Sequence, residues 1–283
     1  MKYANCHLHS TFSDAQFTPA QLVLIGKSLG YRALVLTDHE TDGGVKRFMT
    51  AAKSEGILTM SGVEFYGVED GLEIHLVALD YDMEDPGLRA FIKERCDLEM
   101  ECTRKRVERG IRLGYIENFT WNDVLDYAEE GTWICIDTVM NAMKAKRVVP
   151  QNYNWTAFRQ NVFKGPEAMS YAPEQPAAEQ VIKTVRKAGG VVGIAHPNTR
   201  MHLVEQLVGY GMNGIEVSHP SFASTGMRTG ARALEAAEKY NLYHCGGTDH
   251  TGPMSGCGGI HAIPVFSGIT EEEYTTLQER RLG

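Results

Sequence analysis

Short apolar runs alternate with amphipathic stretches along most of the chain. Residues 3–9 read as a strand and 10–17 as a polar loop. Thr18 reads as a helix cap, with Pro19 at the first helical position and Gln21 placed to close a capping box. Leu22, Ile25 and Leu29 give that helix an apolar stripe, and Gly30 ends it. Residues 33–36 predict a second strand, with Thr37, Asp38 and His39 at its C-terminal end. A helix over 45–54 is followed by Gly56, then by a strand over 57–64 broken once by Gly62. A turn through Glu69, Asp70 and Gly71 leads to a strand over 73–79. Asp85 and Pro86 then open a long helix reaching about Arg109.

The stretch 110–175 has a different texture. It holds all three tryptophans, Trp121, Trp133 and Trp155, with short helices expected after Thr120 and over 138–146. It reads as an inserted, mostly helical subdomain or lid, the alternative being an elaborated connection. Residues 1–109 and 176–283 would then form one domain around it. Helices over 177–188, 201–208 and 231–240 resume the alternation. Strands over 191–195, 215–217 and 243–246 end at His196-Pro197, Ser218-His219 and Thr248-Asp249-His250, and a last strand is expected over 260–265. This rhythm predicts an α/β sheet. Polar residues recur after nearly every strand, which favours a barrel, because a barrel gathers many strand ends on one face.

Composition narrows the function classes. The 283 residues carry a formal charge of −8, with 43% hydrophobic and 23% charged positions, as in a globular protein with a sizeable core. An isoelectric point near 5.7 argues against a general nucleic-acid or anionic-membrane surface, so no large nucleic-acid partner is expected. No run of 18 apolar residues exists, so no membrane span or membrane partner is expected. The start, Met1-Lys2-Tyr3-Ala4, lacks an apolar signal segment, and a cytoplasmic location is the expectation. Six cysteines form no CxxC pair, so a zinc ribbon has no support and free thiols fit a reducing compartment.

The chemistry lies in strand-end residues. His7 and His9 are one residue apart and face the same way on a strand. Asp14 follows in a loop. Asp38 is placed to orient an imidazole, and His39 to offer a nitrogen to a metal. Glu64 ends an apolar run, where a carboxylate needs a cation or a salt bridge. His75 lies between Ile74 and Leu76, and His196 precedes Pro197. Asp249 follows Gly246 and Gly247. Taken singly, each has a structural reading as a turn or a satisfied core residue. Together they are too many for one tetrahedral zinc and suit two or three borderline cations, with Mn²⁺ preferred and Zn²⁺ or Fe²⁺ as alternatives.

In this order the motifs resemble the PHP (polymerase and histidinol phosphatase) family of metal-dependent phosphoesterases. They are Cys6-His7-Leu8-His9-Ser10, Ser13-Asp14, Thr37-Asp38-His39, Gly62-Val63-Glu64, Glu73-Ile74-His75-Leu76, Ala195-His196-Pro197 and Gly247-Thr248-Asp249-His250. The resemblance implies a distorted (β/α)7 barrel with an insertion before its later strands. It also implies one metal group of His7, His9, Glu64 and Asp249, a second of Asp14, His39 and His196, and a third involving Glu64 and His75. Two positions depart from the pattern. Thr251 stands where many members have histidine. Cys135 lies where three-metal members often have one, as a soft ligand or a buried thiol.

The expected reaction is hydrolysis of a phosphate monoester on a small metabolite or nucleotide by metal-activated water. The alternatives are a phosphodiesterase or cyclic-phosphate hydrolase of the same fold, and an inactive metal-binding regulator. His219 and His250, near strand ends, are candidates for proton transfer to the leaving group. Arg200 and Arg228, in loops after strand ends, are candidates for holding phosphate. Trp133 or Trp155 is placed to stack on a base or to build a small core.

Overall fold

The computed structural model describes residues 2–150, 152–224, 228–251 and 267–280. The expected strand over 260–265 lies outside them. The chain begins with β1 (Ala4–Asn5), α1 (Pro19–Ser28), β2 (Ala33–Leu34) and α2 (Val45–Glu55). The hairpin β3 (Gly62–Glu69) and β4 (Leu72–Leu79) precedes the long α3 (Pro86–Arg112). Next come α4 (Trp121–Tyr127), α5 (Ile136–Ala145), α6 (Trp155–Phe158) with a π turn over Arg159–Phe163, and α7 (Pro166–Met169). The chain then runs α8 (Ala178–Lys187), β5 (Val191–Ile194), a 3₁₀ turn (Asn198–Leu203) and α9 (Val204–Gly209). After these come β6 (Gly214–Ser218), α10 (Ser221–Ser224), α11 (Thr229–Tyr240), β7 (Tyr243–Gly246) and α12 (Glu271–Glu279).

Local chemistry sets several of these boundaries as the sequence predicts. Thr18 and Gln21 close the capping box of α1, and Pro19 occupies its first turn. Gly56 takes a left-handed conformation (φ 69°) at the end of α2, and the Asp85 side chain accepts the Leu88 N–H at the start of α3. The strands at the chain's start are shorter than expected. Only Ala4–Asn5 and Ala33–Leu34 keep ladder pairing, and the strand expected over 57–64 begins at Gly62 instead.

The expected (β/α)7 barrel is overturned, because the sheet does not close. β1 and β2 form a parallel pair, while β3-β4-β5-β6-β7 form a separate five-stranded sheet. That sheet is mixed: β3–β4 and β4–β5 are antiparallel, and β5–β6 and β6–β7 are parallel. Isolated bridges such as His39 to Glu64 and Leu8 to His250, with single backbone hydrogen bonds such as Cys6 N–H to the Gly246 carbonyl at 3.0 Å, link the two sheets in place of a continuous ladder. Two causes are visible. The tight turn at Asp70-Gly71, both at positive φ, reverses the chain where a βα unit would cross over. At the strand ends Glu40, His196 and Asp249 also take positive φ (55°, 28° and 48°), so the backbone leaves the ladder where the polar residues begin.

Three apolar clusters hold the architecture. The largest packs the five-stranded sheet against α8, α9, α11 and α12, with Val181, Ile182 and Val185 of α8 fully buried. Each such side chain contributes about 1.5–3 kcal/mol through removal from water. A second cluster, with Leu22, Val23, Leu34 and Phe48, fixes α1 and α2 to the first strand pair. A third joins the C-terminal half of α3 to α4–α6, with Val107, Val124, Met143, Phe158 and Val162 at its centre. The helical insertion therefore has its own core.

On α3, Glu99 is buried beside Arg106 and accepts the Thr103 hydroxyl at 3.0 Å. Burial pushes its carboxyl up to about 7, against the partial relief given by Arg106. A raised carboxyl pKa stabilises the fold below the unfolded value near 4.5 and withdraws that stability as pH rises through 7. The melting temperature of Glu99→Gln relative to wild type should therefore rise between pH 5 and pH 8. The corresponding free-energy gain is at most about 3 kcal/mol. A difference independent of pH would refute the assignment.

Candidate metal centre

Glu64 is the hub. It lies on β3, fully buried, and its two oxygens face five imidazoles. Oε1 is 3.3 Å from His7 Nε2, 3.1 Å from His75 Nδ1 and 3.2 Å from His196 Nε2. Oε2 is 3.3 Å from His9 Nε2 and 3.1 Å from His39 Nδ1. Asp249 closes the other side, with Oδ1 at 3.0 Å from His9 Nε2 and 3.6 Å from His7 Nε2. Asp14 lies 3.6 Å from His9 Nδ1 and 3.8 Å from His39 Nε2.

Distant elements meet here. His7 and His9 follow β1, and His39 follows β2 through the Thr37-Asp38 segment. Glu64 and His75 are on the β3–β4 hairpin, His196 follows β5, and Asp249 follows β7. Asp38 does not orient an imidazole by hydrogen bond. It accepts the Ser10 N–H, the Ser10 hydroxyl and the Ser13 hydroxyl, each at 2.6 Å, and so ties down the loop that carries His9 and Asp14.

The electrostatics are those of a cation site. Burial alone would raise Glu64, but His7, His39 and His75 hold its carboxyl well below the ordinary range. Burial would likewise raise Asp249, and His7, His219 and His9 reverse that too. Burial opposes protonation of His7, yet Glu64, Asp249 and Glu216 draw its imidazole well above the usual value. His39 goes the other way, because burial dominates and depresses it.

Several buried polar atoms at the hub have no hydrogen-bond partner: His7 Nε2, both nitrogens of His9, His39 Nδ1 and Glu64 Oε2. Orphaned buried nitrogens carry a desolvation cost that a bound cation removes. Among the described residues the donors fall into overlapping groups, namely His7-His9-Glu64-Asp249, His7-Glu216-His219, His9-Asp14-His39 and His39-Glu64-His75. The residues therefore fit divalent cations held by imidazole nitrogen and carboxylate oxygen.

His219 borders this centre. Its Nε2 is 3.2 Å from Asp249 Oδ2, and its Nδ1 accepts the Ser221 N–H at 3.1 Å. Those contacts put the proton of the neutral ring on Nε2. His250 lies elsewhere. It follows Asp249 directly, pairs with Leu8 through the backbone and stacks on Phe17 at 5.6 Å between ring centroids. Arg200 lines a cleft of about 290 Å³ beside His75 and His196, with its guanidinium on Thr199 Oγ1 and the Glu73 carbonyl. Arg228 is exposed at the start of α11. Trp133 packs against His39 and Tyr66 (5.5 and 5.9 Å between centroids), whereas Trp155 belongs to the helical insertion's core.

Cys135 is buried at the start of α5 and joins none of the metal-binding groups among the described residues. Its Sγ lies 3.8 Å from the Ser13 carbonyl oxygen and from Thr138 Oγ1, and burial pushes the thiol well up. Replacing it with serine is expected to leave the ratio of bound metal to protein unchanged, as measured by elemental analysis. Loss of one equivalent would make the sulfur a ligand.

Sequence reasoning passed over Glu216. This β6 residue is 1% exposed and touches both His7 and the backbone of His196. The signal was present: like Glu64, it is a lone carboxylate inside an apolar strand run, Ile215-Glu216-Val217. Tyr66, Asn198 and Ser221 were also passed over. They line, with the metal-facing residues, a cavity of about 490 Å³. That volume is within the ordinary range for a small-molecule site.

The PHP domain model matches residues 5–145. Over 250 residues the chain is 25% identical to the phosphoribosyl 1,2-cyclic phosphate 1,2-diphosphodiesterase of Eggerthella lenta, covering 87% of this chain and 93% of that one. It is 28% identical over 272 residues to a 5'-3' exoribonuclease of Haemophilus influenzae, covering 92% of each. It is 27% identical over 268 residues to the 3',5'-nucleoside bisphosphate phosphatase of Chromobacterium violaceum, covering 90% of each. A solved structure from Bifidobacterium adolescentis shares the fold with a TM-score of 0.79 at 24% identity, covering 99% of this chain and 96% of that one.

Proposed function

The chain belongs to the PHP-domain family of metal-dependent phosphoesterases, and from that premise we propose that it hydrolyses a phosphate monoester on a small metabolite or nucleotide. The observation that carries this reading is the Glu64 carboxylate ringed by five imidazoles, with unpartnered buried nitrogens beside a cavity of nucleotide size. His7, His9, Glu64 and Asp249 would hold one cation, and Asp14, His39 and His196 a second. His75 would join Glu64 at a third. Mn²⁺ is the ion proposed, with Zn²⁺ or Fe²⁺ as alternatives, because the grouped donors mix imidazole nitrogen with carboxylate oxygen. Bound there, divalent ions supply acidified water and charge stabilisation for the transferring phosphoryl group.

The chain's own residues supply position and protons. His219, with its proton on Nε2 at the cavity wall, protonates the leaving oxygen. Arg200, in the adjoining cleft, holds a phosphate oxygen. Residues 110–175 act as an inserted subdomain that brings Trp133 against His39 and Tyr66. Free thiols at Cys6, Cys96, Cys102, Cys135 and Cys245 suit a reducing, cytoplasmic setting. No helix among the described residues is long and apolar enough to cross a membrane.

A second reading, opening of a cyclic phosphate diester, is supported by the resemblance to the Eggerthella lenta diphosphodiesterase. Phosphate release from sugar phosphates and nucleoside mono- and bisphosphates, measured with Mn²⁺ beside chromatographic detection of the ring-opened monoester from cyclic phosphates, separates the two. Release from monoesters is expected. Turnover of cyclic substrates alone would replace the first reading by the second. His219→Ala should lower kcat by roughly 100-fold or more while keeping bound metal. An unchanged kcat would remove His219 from the reaction.

A further inference from the structure

Glu216 has both carboxylate oxygens engaged on the flank of the metal centre. Oε1 meets His7 Nδ1 at 3.2 Å, and Oε2 accepts the His196 backbone N–H at 2.5 Å. It sits on β6, next to β5, whose Ile194 pairs with Ile215, so its side chain reaches the segment just beyond β5. On the opposite face Ile215 and Val217 enter the main core, which fixes the strand's rotation. The residue is 1% exposed, and His7 is fully buried. Each oxygen keeps a second lone pair, and Glu216 also groups with His7 and His219 as a set able to hold a cation, so the metal stoichiometry of the variants separates a positioning residue from a ligand.

We propose that Glu216 is a positioning residue that keeps the His7 proton on Nδ1 and so presents the Nε2 lone pair to a cation between Glu64 and Asp249. The inference rests on reading the centre as a cation site. A neutral imidazole carries one proton, and the nitrogen that donates cannot ligate. His7 Nε2 lies 3.3 Å from Glu64 and 3.6 Å from Asp249 with no hydrogen-bond partner of its own. In the neutral ring that a bound cation requires, a proton on Nδ1 leaves Nε2 as a free base aimed between two carboxylates. With the proton on Nε2, the same position is blocked. The second contact has its own effect, since it anchors the backbone of His196, another residue of the centre.

Two donors require two acceptors, and this makes the role testable. Glutamine has the shape of Glu216 but offers one acceptor and one amide NH₂. Turned one way, its NH₂ faces His7 Nδ1 and forces the ring proton to Nε2. Turned the other way, it faces the His196 N–H, donor against donor. Alanine removes both contacts but leaves His7 free to take either tautomer. A residue that only filled space would show the opposite order, with Gln near wild type and Ala worse.

The experiment is calorimetric titration of metal-free wild type, Glu216→Gln, Glu216→Asp and Glu216→Ala with Mn²⁺, alongside thermal melts of each metal-free protein. Glu216→Gln is expected to weaken Mn²⁺ binding roughly 10- to 100-fold, at least as much as Glu216→Ala, with unchanged stoichiometry at saturation. Glu216→Asp keeps both acceptors and should lie closer to wild type, which guards against a variant that merely misfolds. Wild-type affinity in a folded Glu216→Gln would overturn the proposal. So would a lost equivalent of metal, which would make Glu216 a ligand. Wild-type protein that binds Mn²⁺ but turns over no phosphoester would overturn the proposed reaction alone, and the affinity ratio would still decide the role of Glu216.

Discussion

Glutamine in place of Glu64 is expected to strip the centre of tightly held metal and lower turnover by more than roughly 100-fold, beyond the 10- to 100-fold typical of losing a supporting partner. Among the described residues the carboxylate is the single group in contact with all of His7, His9, His39, His75 and His196. An amide keeps the volume but loses the charge and turns one oxygen into a donor. Elemental analysis and phosphate release read the two effects separately. The metal-free protein gives an independent signature. The folded carboxyl is held below its ordinary value of 4.5, so the stability it supplies is present above that pH. That stability is lost only as acid titrates the folded group, and the variant lacks it throughout. Near-normal metal content and rate in Glu64→Gln would dissolve the hub as described.

Gly247→Ala should be the most damaging single-methyl addition near the site. A Cβ at this position would stand 2.4 Å from the His7 nitrogen, 2.4 Å from Asn5 Oδ1 and 2.6 Å from His7 Cβ. These atoms belong to one seam. Asn5 Oδ1 accepts the His7 and Thr248 N–H groups, and the Asp249 N–H donates to the His7 carbonyl at 2.9 Å. Making room must separate His7 from Asp249, so stability and metal binding fall together. The loss is expected at about 3 kcal/mol, the upper end for overpacking. Gly209→Ala is the control, since nothing lies within 4 Å of its added carbon. A Gly247→Ala protein that melts and binds metal like wild type would show that the seam yields.

Much of the centre was legible because its residue types are costly to bury without a purpose. Glu64 after Gly62-Val63, and paired histidines at His7 and His9, stand out against their apolar neighbours. The strand rule for that pair assumed regular pairing that the backbone does not keep as far as His7. Regular pairing ends at Asn5, and the two rings are 5.2 Å apart with Leu8 bridged to His250. His250 was misleading because adjacency in sequence puts consecutive side chains on opposite sides, and its ring faces Phe17. Glu216 offered the same signal as Glu64 but sits in no recognised motif.

The closed barrel was the larger error. The turn at Asp70-Gly71 already implied an antiparallel hairpin, which an all-parallel barrel does not contain. The βα rhythm of the remaining chain outweighed that local evidence. Strand pairing between distant segments depends on backbone geometry at Glu40, His196 and Asp249, where non-glycine residues turn to positive φ. Propensity gives no warning of that.

The seam between Asn5 and Thr248 joins residues 243 positions apart. His7 and His9 are synthesised well before Asp249. The His7-His9-Glu64-Asp249 group is therefore complete only on a polypeptide made through Asp249. A polypeptide truncated ahead of Asp249 would lack that group, while His9-Asp14-His39 and His39-Glu64-His75 would keep every member.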